Sequence, residues 1–356
     1  MELLPSLLSG IVGAGLSYAL LKNQLPSAPK PRMPQDELNE WNAANDGFCW
    51  EKYCELVSPF DNIENFTIIF STCIELKNIE KHYEALILFI KIKNTIKKLD
   101  KSKDSLGCKI QNYIDSDPNL CVIQREAVQL NDLMDAFFNN DGWTNDDVLT
   151  SDVQYSYRQE GRRLRSRKFI KVINKPMKNL VMRTAEIDQF SSWKWYQTGK
   201  TVDPCEGTNL CSIVSVLSRF VVLNRAAYCW KLNYFLPDGS CVVSYNGANN
   251  RQSDYNLPPL PKGFAYPDIF YHAWRFIPVS KNKTIVVSVM ESDPKIWFMP
   301  TEGFVRTAKK FGCRELALLD QYSNHIRGTV YDEENIQEKS IYQTIDQTVT
   351  KISTQC

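Results

Sequence analysis

The feature that most constrains this chain is a long stretch without charge at its N-terminus. No Asp, Glu, Lys or Arg occurs from Leu3 to Leu21. As a helix rising about 1.5 Å per residue, the stretch would be roughly 28 Å long, close to the ~30 Å hydrocarbon thickness of a bilayer. We therefore expect residues 1–22 to form a transmembrane anchor, so that the rest of the chain works beside a membrane.

Two other interpretations of this stretch stay open. A cleaved signal or targeting segment usually starts with basic residues, whereas only Met1 and Glu2 precede the apolar run. A buried or interfacial helix also fits, because Pro5 and several serines and glycines dilute the hydrophobicity.

The flanks of the stretch predict its orientation. Lys22, Lys30 and Arg32 follow it and no basic residue precedes it, so the bulk of the chain is expected in the cytosol or an equivalent non-translocated compartment. Residues 23–35 carry four prolines and are expected to form a stiff linker.

Composition limits the kinds of partner and site. The chain has 42 basic and 41 acidic residues, a balance that argues against nucleic-acid binding. Its 11 cysteines have no repeated spacing, which favours reduced thiols over a disulfide framework. Only three histidines occur, each alone in sequence, so neither a metal site nor a cofactor is predicted.

Hydrophobic periodicity divides the remainder of the chain in two. Residues 36–138 form a predicted helical region, with apolar residues at helical spacing in Ile63–Leu76, Ile79–Leu99 and Asn119–Phe138. After residue 150, alternating β-branched and aromatic residues predict strands, separated early by one helix over Pro176–Phe190. The predicted strands are Asp152–Gln159, Lys168–Ile173, Leu210–Leu217, Asn224–Phe235, Cys241–Tyr245, Ile269–Val279 and Thr284–Ser292.

One long helix follows the strands, from about Pro300 to Tyr322. An antiparallel sheet that curls around such a helix encloses a cavity, and a cavity of that kind suits an apolar ligand.

The stretch from Gly142 to about Tyr322 resembles the StAR-related lipid transfer (START) domain, of helix-grip fold. No single motif carries the resemblance, which rests on order and spacing. The matching elements are Asp141-Gly142-Trp143, Ser192-Trp193-Lys194-Trp195, Val222-Leu223-Asn224-Arg225-Ala226, Phe276-Ile277-Pro278, Lys283-Thr284, Glu291-Ser292-Asp293-Pro294 and Met299-Pro300. Two positions depart from the family pattern: Ala226 stands where an Asp is common, and Lys295 where a Gly is common.

The resemblance implies an α+β fold in which a curved antiparallel sheet grips a long C-terminal helix. We expect this lipid-binding domain to cover residues 139–326, with residues 327–356 as a C-terminal tail.

Alternation along the predicted strands selects candidate wall residues, because apolar faces should turn toward the cavity and the helix. The predicted lipid-binding residues are Tyr228, Trp230, Tyr234, His272, Trp274 and Met290. A Pro-rich loop from Asn246 to Pro267 and the start of the last helix are candidate gates, with Phe264, Tyr266, Trp297 and Phe298 as the gating side chains.

These expectations describe a membrane-anchored protein that is not an enzyme and that holds one lipid, a phospholipid or a sterol, under its last helix. The alternative is a non-enzymatic accessory subunit of a larger membrane complex, whose START-like domain has a closed core and contacts membrane-protein partners. A third hypothesis, an enzyme acting on a hydrophobic small molecule, would require titratable residues to cluster in the cavity.

Overall fold

The computed structural model describes residues 50–54, 63–79, 81–99, 105–146, 152–160, 163–192, 196–202, 210–215, 225–248, 263–264, 267–293, 301–324, 326 and 329–355. The predicted anchor (residues 1–22) and Pro-rich linker (residues 23–35) lie outside the described residues. Within the described ranges, no helix combines the length and apolar character that crossing a membrane requires.

Helices make up the first part of the described chain. They are α1 (Trp50–Tyr53), α2 (Ile63–Asn78), α3 (His82–Lys98), α4 (Leu106–Ser116) and α5 (Pro118–Phe138). Three of them follow the sequence prediction within a few residues, whereas α1 and α4 were not predicted. The start of α5 is fixed by Asp117, whose carboxylate accepts hydrogen bonds from the backbone N–H groups of Asn119 and Leu120 at 2.8 and 3.2 Å.

A nine-stranded antiparallel sheet follows, in the spatial order β1-β2-β3-β9-β8-β7-β6-β5-β4. Its strands are β1 (Thr144–Asn145), β2 (Gln154–Glu160), β3 (Arg163–Ile173), β4 (Tyr196–Val202), β5 (Leu210–Ser215), β6 (Arg225–Phe235), β7 (Cys241–Gly247), β8 (Asp268–Ser280) and β9 (Lys283–Asp293). All seven predicted strands are present, whereas β1 and β4 were not predicted.

The turn between β6 and β7 confirms the hairpin predicted at Asp238-Gly239. Gly239 has φ +81°, a conformation that only glycine adopts without strain. The Asp238 carboxylate accepts a hydrogen bond from the Ser240 backbone N–H at 2.9 Å and so closes the turn.

The remaining helices lie between and after the strands. They are α6 (Met177–Ala185), a 3-10 helix (Ile187–Ser192), the long helix α7 (Thr301–Tyr322), a second 3-10 helix (Val330–Asp332), α8 (Glu334–Gln337) and α9 (Ser340–Gln355). The predicted fold class, an antiparallel sheet packed against a long helix near the C-terminus, is confirmed.

The expectation of a C-terminal tail is wrong in one respect, because that segment contains the packed helix α9. Tyr342 and Ile345 of α9 are fully buried in the core that the sheet shares with α6 and α7. The apolar residues of α9 recur at helical spacing, and burying them stabilises this segment as a helix packed on the core.

The sheet is covered on both sides. We call the side that packs against α1–α5 the back face; its core includes Ile170, Trp230 and Val287. We call the side that packs against α6, α7 and α9 the front face; its core includes Phe169, Trp274 and Val286. The helical layer and the sheet therefore share one hydrophobic core at the back face.

Candidate functional site

The register of the central strands determines which side chains share the front face. Arg167 of β3 pairs with Met290 of β9, Met290 pairs with His272 of β8, and His272 pairs with Tyr245 of β7. Directly opposed residues in a sheet point to the same side. These four side chains therefore form one row across the front face.

The next row combines aromatic and polar side chains. Tyr155 pairs with Phe169, and Trp274 pairs with Val243, which also pairs with Asn233. The Tyr155 and Phe169 rings stack with centroids 4.8 Å apart. This part of the front face thus offers flat apolar surfaces with polar groups at their edges, as small-molecule sites do.

Four polar atoms on this face are buried and have no hydrogen-bond partner among the described residues. They are the Tyr155 hydroxyl, the Arg167 Nε, the Asn233 Oδ1 and the Trp274 Nε1. Buried polar groups in folded proteins are nearly always hydrogen-bonded, since an unmade hydrogen bond costs about 1–3 kcal/mol. The four atoms lie on two neighbouring rows that run from β2 to β6, and Tyr155 and Arg167 are the two of them that interact electrostatically. We take this face as the candidate site.

Arg167 is the cation of the site. Its Nη2 donates a hydrogen bond to the Ser292 hydroxyl at 2.5 Å, and its guanidinium carbon lies 5.7 Å from the centre of the Phe304 ring on α7. Burial lowers the pKa of Arg167, partly offset by the electrostatic effect of Tyr155, followed by Glu315, Tyr271 and Glu291. No described carboxylate forms an ion pair with it.

Helix α7 covers these rows through polar and close apolar contacts. Glu315 Oε2 lies 3.6 Å from His272 Nε2, and Lys171 Nζ donates a hydrogen bond to Asp320 Oδ2 at 3.0 Å. Between these two contacts, a Cβ atom at Gly312 would come within 2.1 Å of the Phe169 ring. The absence of a side chain at Gly312 therefore permits α7 to sit directly on the sheet.

Burial along the front-face residues of β8 decreases toward its N-terminal part. Exposed fractions are 0% at Phe276, 2% at Trp274 and 9% at His272. The β-bulge beyond His272 leaves Phe270 unpaired, and Ile269 is the residue there that packs against the front-face core.

Three of the predicted wall residues lie on this face: His272, Trp274 and Met290. The His272 and Trp274 ring centroids are 4.0 Å apart, and Tyr245 contacts Trp274 edge-on at 5.9 Å. The structure thus brings these predicted residues together beneath α7. Their contact with a lipid stays a prediction.

The expected direction of Tyr228, Trp230 and Tyr234 is wrong. They point to the back face and pack against the helical layer, where Tyr234 stacks on Tyr83 with centroids 4.4 Å apart. Trp230 meets the edge of His82 at 6.1 Å. The apolar face of β6 points toward the α1–α5 layer because that layer also buries apolar surface. The prediction assumed that apolar side chains turn only toward a cavity under the last helix.

One predicted gate residue can be located. Phe264 is half-buried next to Gly263, whose φ of +85° marks a turn. Tyr266, Trp297 and Phe298 lie outside the described residues, so the gating role of the four side chains stays a prediction.

Sequence reasoning missed Arg167, Tyr155 and Glu315 as site residues. Arg167 belongs to a run of basic residues that resembles an exposed strand and turn. Its alternation with Phe169 and Ile173 was the available signal, because these residues share one face of β3. Glu315 could be placed only once α7 was seen to cross β8.

Metal binding has no support in the part of the chain that the structure describes. No group of three or more His, Cys, Asp or Glu side chains there could hold an ion. Cys229 and Cys241 are buried in the front-face core, and burial raises the pKa of Cys241 well above its usual value, so this thiol stays protonated.

No protein-family model matches the sequence, and no curated protein matches it. Solved structures do resemble it. Human StAR-related lipid transfer protein 5 is 13% identical over 56% of this chain and 95% of that one, with a TM-score of 0.44. Human STARD10 is 10% identical over 63% of this chain and 86% of that one, with a TM-score of 0.46. Zhui aromatase/cyclase from Streptomyces sp. R1128 is 9% identical over 46% of this chain and 96% of that one, with a TM-score of 0.31.

The fold itself rests on this chain's own geometry. Strands β1 to β3 precede α6, strands β4 to β9 complete one antiparallel sheet, and α7 closes its front face. The described chain therefore has a START-like helix-grip fold, extended by a helical layer on the back face and by α9 on the front face.

Proposed function

We propose that this protein binds one lipid on the front face, beneath α7, and moves or presents it at a nearby membrane. The observation that carries the proposal is the set of buried, unpartnered polar atoms at Tyr155, Arg167, Asn233 and Trp274, among aromatic side chains that α6, α7 and α9 cover. An amphiphile would satisfy both parts, its hydrocarbon against the rings and its polar end against these atoms.

Energetics support a lipid over a small polar ligand. Burial of apolar surface contributes about 25 cal/mol per Å². A hydrocarbon tail lying along the Trp274 ring would gain most of its binding free energy in this way. The few polar atoms would then orient the molecule.

The membrane is part of the same proposal. The uncharged run from Leu3 to Leu21 would anchor the chain, and Lys22, Lys30 and Arg32 would keep its bulk in the cytosol or an equivalent compartment. The similarity to human StAR-related lipid transfer protein 5 is consistent with a lipid as ligand but does not choose which lipid.

Lipid extraction tests the proposal. The full chain is incubated with vesicles of mixed phospholipid and sterol, re-isolated, and its bound lipid quantified by mass spectrometry. We expect about one lipid per chain, with a mass unchanged by the incubation. Protein without lipid would contradict the proposal. A lipid of altered mass would indicate catalysis and favour the enzyme hypothesis, for which His272 and Glu315 would be the first candidates.

A specific contact favours the second candidate function, an accessory subunit with a closed core. The tight approach of Gly312 to Phe169 shows that α7 packs directly on part of the front face. Stable co-purification of the full chain with integral membrane proteins, together with absence of bound lipid, would support this candidate. Transfer of lipid by a monodisperse monomer would exclude it.

A further inference from the structure

We propose that the lipid carries an anionic head group, a carboxylate or a phosphate, which pairs with Arg167 on the front face. This inference rests on the proposed lipid binding and specifies the chemistry of the ligand.

The first step is the state of Arg167. Its side chain is buried, yet its described partners are one neutral hydroxyl, that of Ser292, and the face of the Phe304 ring. A buried cation is strongly unfavourable unless it is paired and hydrogen-bonded. A guanidinium matches a carboxylate or a phosphate in shape, since its parallel N–H groups can bind two oxygens at once.

The second step compares hydrogen-bond donors with acceptors among the unpartnered atoms. Arg167 Nε and Trp274 Nε1 can only donate hydrogen bonds, and the Tyr155 hydroxyl can donate one. The side-chain oxygen of Asn233 is the one pure acceptor among the four unpartnered atoms. Four strands separate Asn233 from Tyr155, so a single head group at Arg167 would meet Arg167 and Tyr155, both of which can donate hydrogen bonds. Such a head group must be rich in acceptor oxygens, and an alcohol such as a sterol supplies only one.

The third step is placement. Arg167 lies in the same row as Met290 and His272. These three residues are somewhat more exposed than Trp274 and Phe169 in the adjoining row. A head group at Arg167 would therefore lie in the more exposed of the two rows while its tail extends toward Trp274.

Nearby charges leave this assignment intact. Glu315 faces His272 at 3.6 Å, and Lys309 Nζ is bound to Asp146 Oδ2 at 2.8 Å. Glu315 and Glu291 also act electrostatically on Arg167, but among the described residues neither forms an ion pair with it. Arg167 remains the guanidinium of the row to which an incoming anion can bind.

The test compares ligands that share a tail and differ in charge. Binding of radiolabelled oleate, oleoyl lysophosphatidic acid and oleyl alcohol to the full chain is measured in a neutral detergent. We expect both anionic ligands to bind at least tenfold more tightly than the alcohol. Arg167→Met should abolish that difference, and Arg167→Lys should restore part of it.

Lys168→Met is the matched control, because Lys168 is the next residue of β3, is also buried, and points to the back face. It should keep the tenfold preference. If Arg167→Met does not fold, the comparison of oleate with oleyl alcohol on the unmodified chain still decides the proposal.

Each failure has its own signature. Equal binding of oleate and oleyl alcohol would overturn the anionic head group and leave lipid binding standing. Displacement of oleate by inorganic phosphate at a comparable concentration would also overturn it, because the site would then bind an anion equally well without a hydrocarbon tail. Absence of binding by every ligand, with no lipid in the extraction experiment, would overturn the proposed function as well.

Discussion

Gly312 of α7 and Phe169 of β3 meet so closely that a Cβ atom at the glycine would lie 2.1 Å from the ring's Cζ atom. A contact this short cannot exist, so a larger residue at this position must displace either the ring or the helix. The ring has little room, because it stacks on Tyr155 with centroids 4.8 Å apart. This pair sets the distance between α7 and the front face.

Gly312→Ala should therefore destabilise the protein. We expect the free energy of unfolding to fall by about 1–3 kcal/mol, the usual cost of overpacking a well-packed contact. Urea unfolding followed by circular dichroism measures the change, with Lys310→Ala on the exposed side of α7 as the control, expected to change stability by less than about 0.5 kcal/mol. A gain of about 1 kcal/mol, typical of Gly→Ala in a free helix, would show that α7 does not rest on Phe169.

The two faces of the sheet predict opposite outcomes for two tryptophans. Trp274→Leu on the front face should weaken lipid binding at least fivefold, because it removes a ring and a donor from the site. Trp230→Leu on the back face should lower the free energy of unfolding by about 1–3 kcal/mol and leave lipid affinity unchanged. Equilibrium binding of oleate and urea unfolding are measured on both variants. If only Trp230→Leu weakened lipid binding, the ligand would lie on the back face, which would contradict the proposal.

Lys168 predicts a pH dependence of stability. Burial, followed by the nearby Arg158 charge, lowers the pKa of Lys168 to about 7, and its Nζ lies 3.4 Å from the Phe137 carbonyl oxygen. The unfolded chain keeps this amine protonated up to its ordinary pKa of about 10.4. Between roughly pH 7 and 10 the unfolded state binds the extra proton, so stability rises with pH; below about pH 7 the full penalty of the buried charge is present.

Lys168→Met removes this penalty. The variant should exceed the unmodified chain in stability most at pH 6, and the gain should shrink steadily toward pH 10. Urea unfolding at pH 6, 7, 8 and 9 under reducing conditions measures the difference between the two proteins, which cancels groups that titrate alike in both. A difference that does not vary with pH would contradict the lowered pKa.

The contact between His272 and Glu315 predicts an effect on lipid release. Glu315→Gln removes the charge that faces His272 across the α7–sheet boundary. We expect bound lipid to dissociate several-fold faster, since α7 then separates more readily from β8. Stopped-flow release of a fluorescent fatty acid measures the rate. Glu302→Gln, at an exposed position in the first turn of α7, is the control and should leave the rate unchanged.

Much of the fold followed from local signals in the sequence. Strict alternation located β6 and β8, the Asp238-Gly239 pair located the hairpin turn between β6 and β7, and helical spacing located α5 and α7. The short strand β1 spans Thr144–Asn145 and is too brief to carry a period. Helix α9 carries so few strongly apolar residues that it was assigned to a tail.

The candidate site was only half predictable, for a physical reason. Alternation divides a strand into two faces but does not say which face meets which layer, and here both faces are buried. His272 and Trp274 were assigned to the correct side, whereas Trp230 and Tyr234 were assigned to the side opposite the one they occupy. Arg167 was not predicted as a site residue, because a basic residue in a basic run is usually exposed. Its burial comes from α7, more than 130 residues later in the chain.

Photo-crosslinking with an oleate analogue that carries a diazirine in its tail tests most directly whether the ligand lies beneath α7. The full chain is labelled, digested, and the modified peptides identified by mass spectrometry. We expect labels on β3, β8 and α7, around Phe169 and Trp274, and competition by unlabelled oleate should remove them. Labels confined to α1–α5 or to the back-face residues Trp230 and Tyr234, or no competed label at all, would contradict lipid binding at the front face.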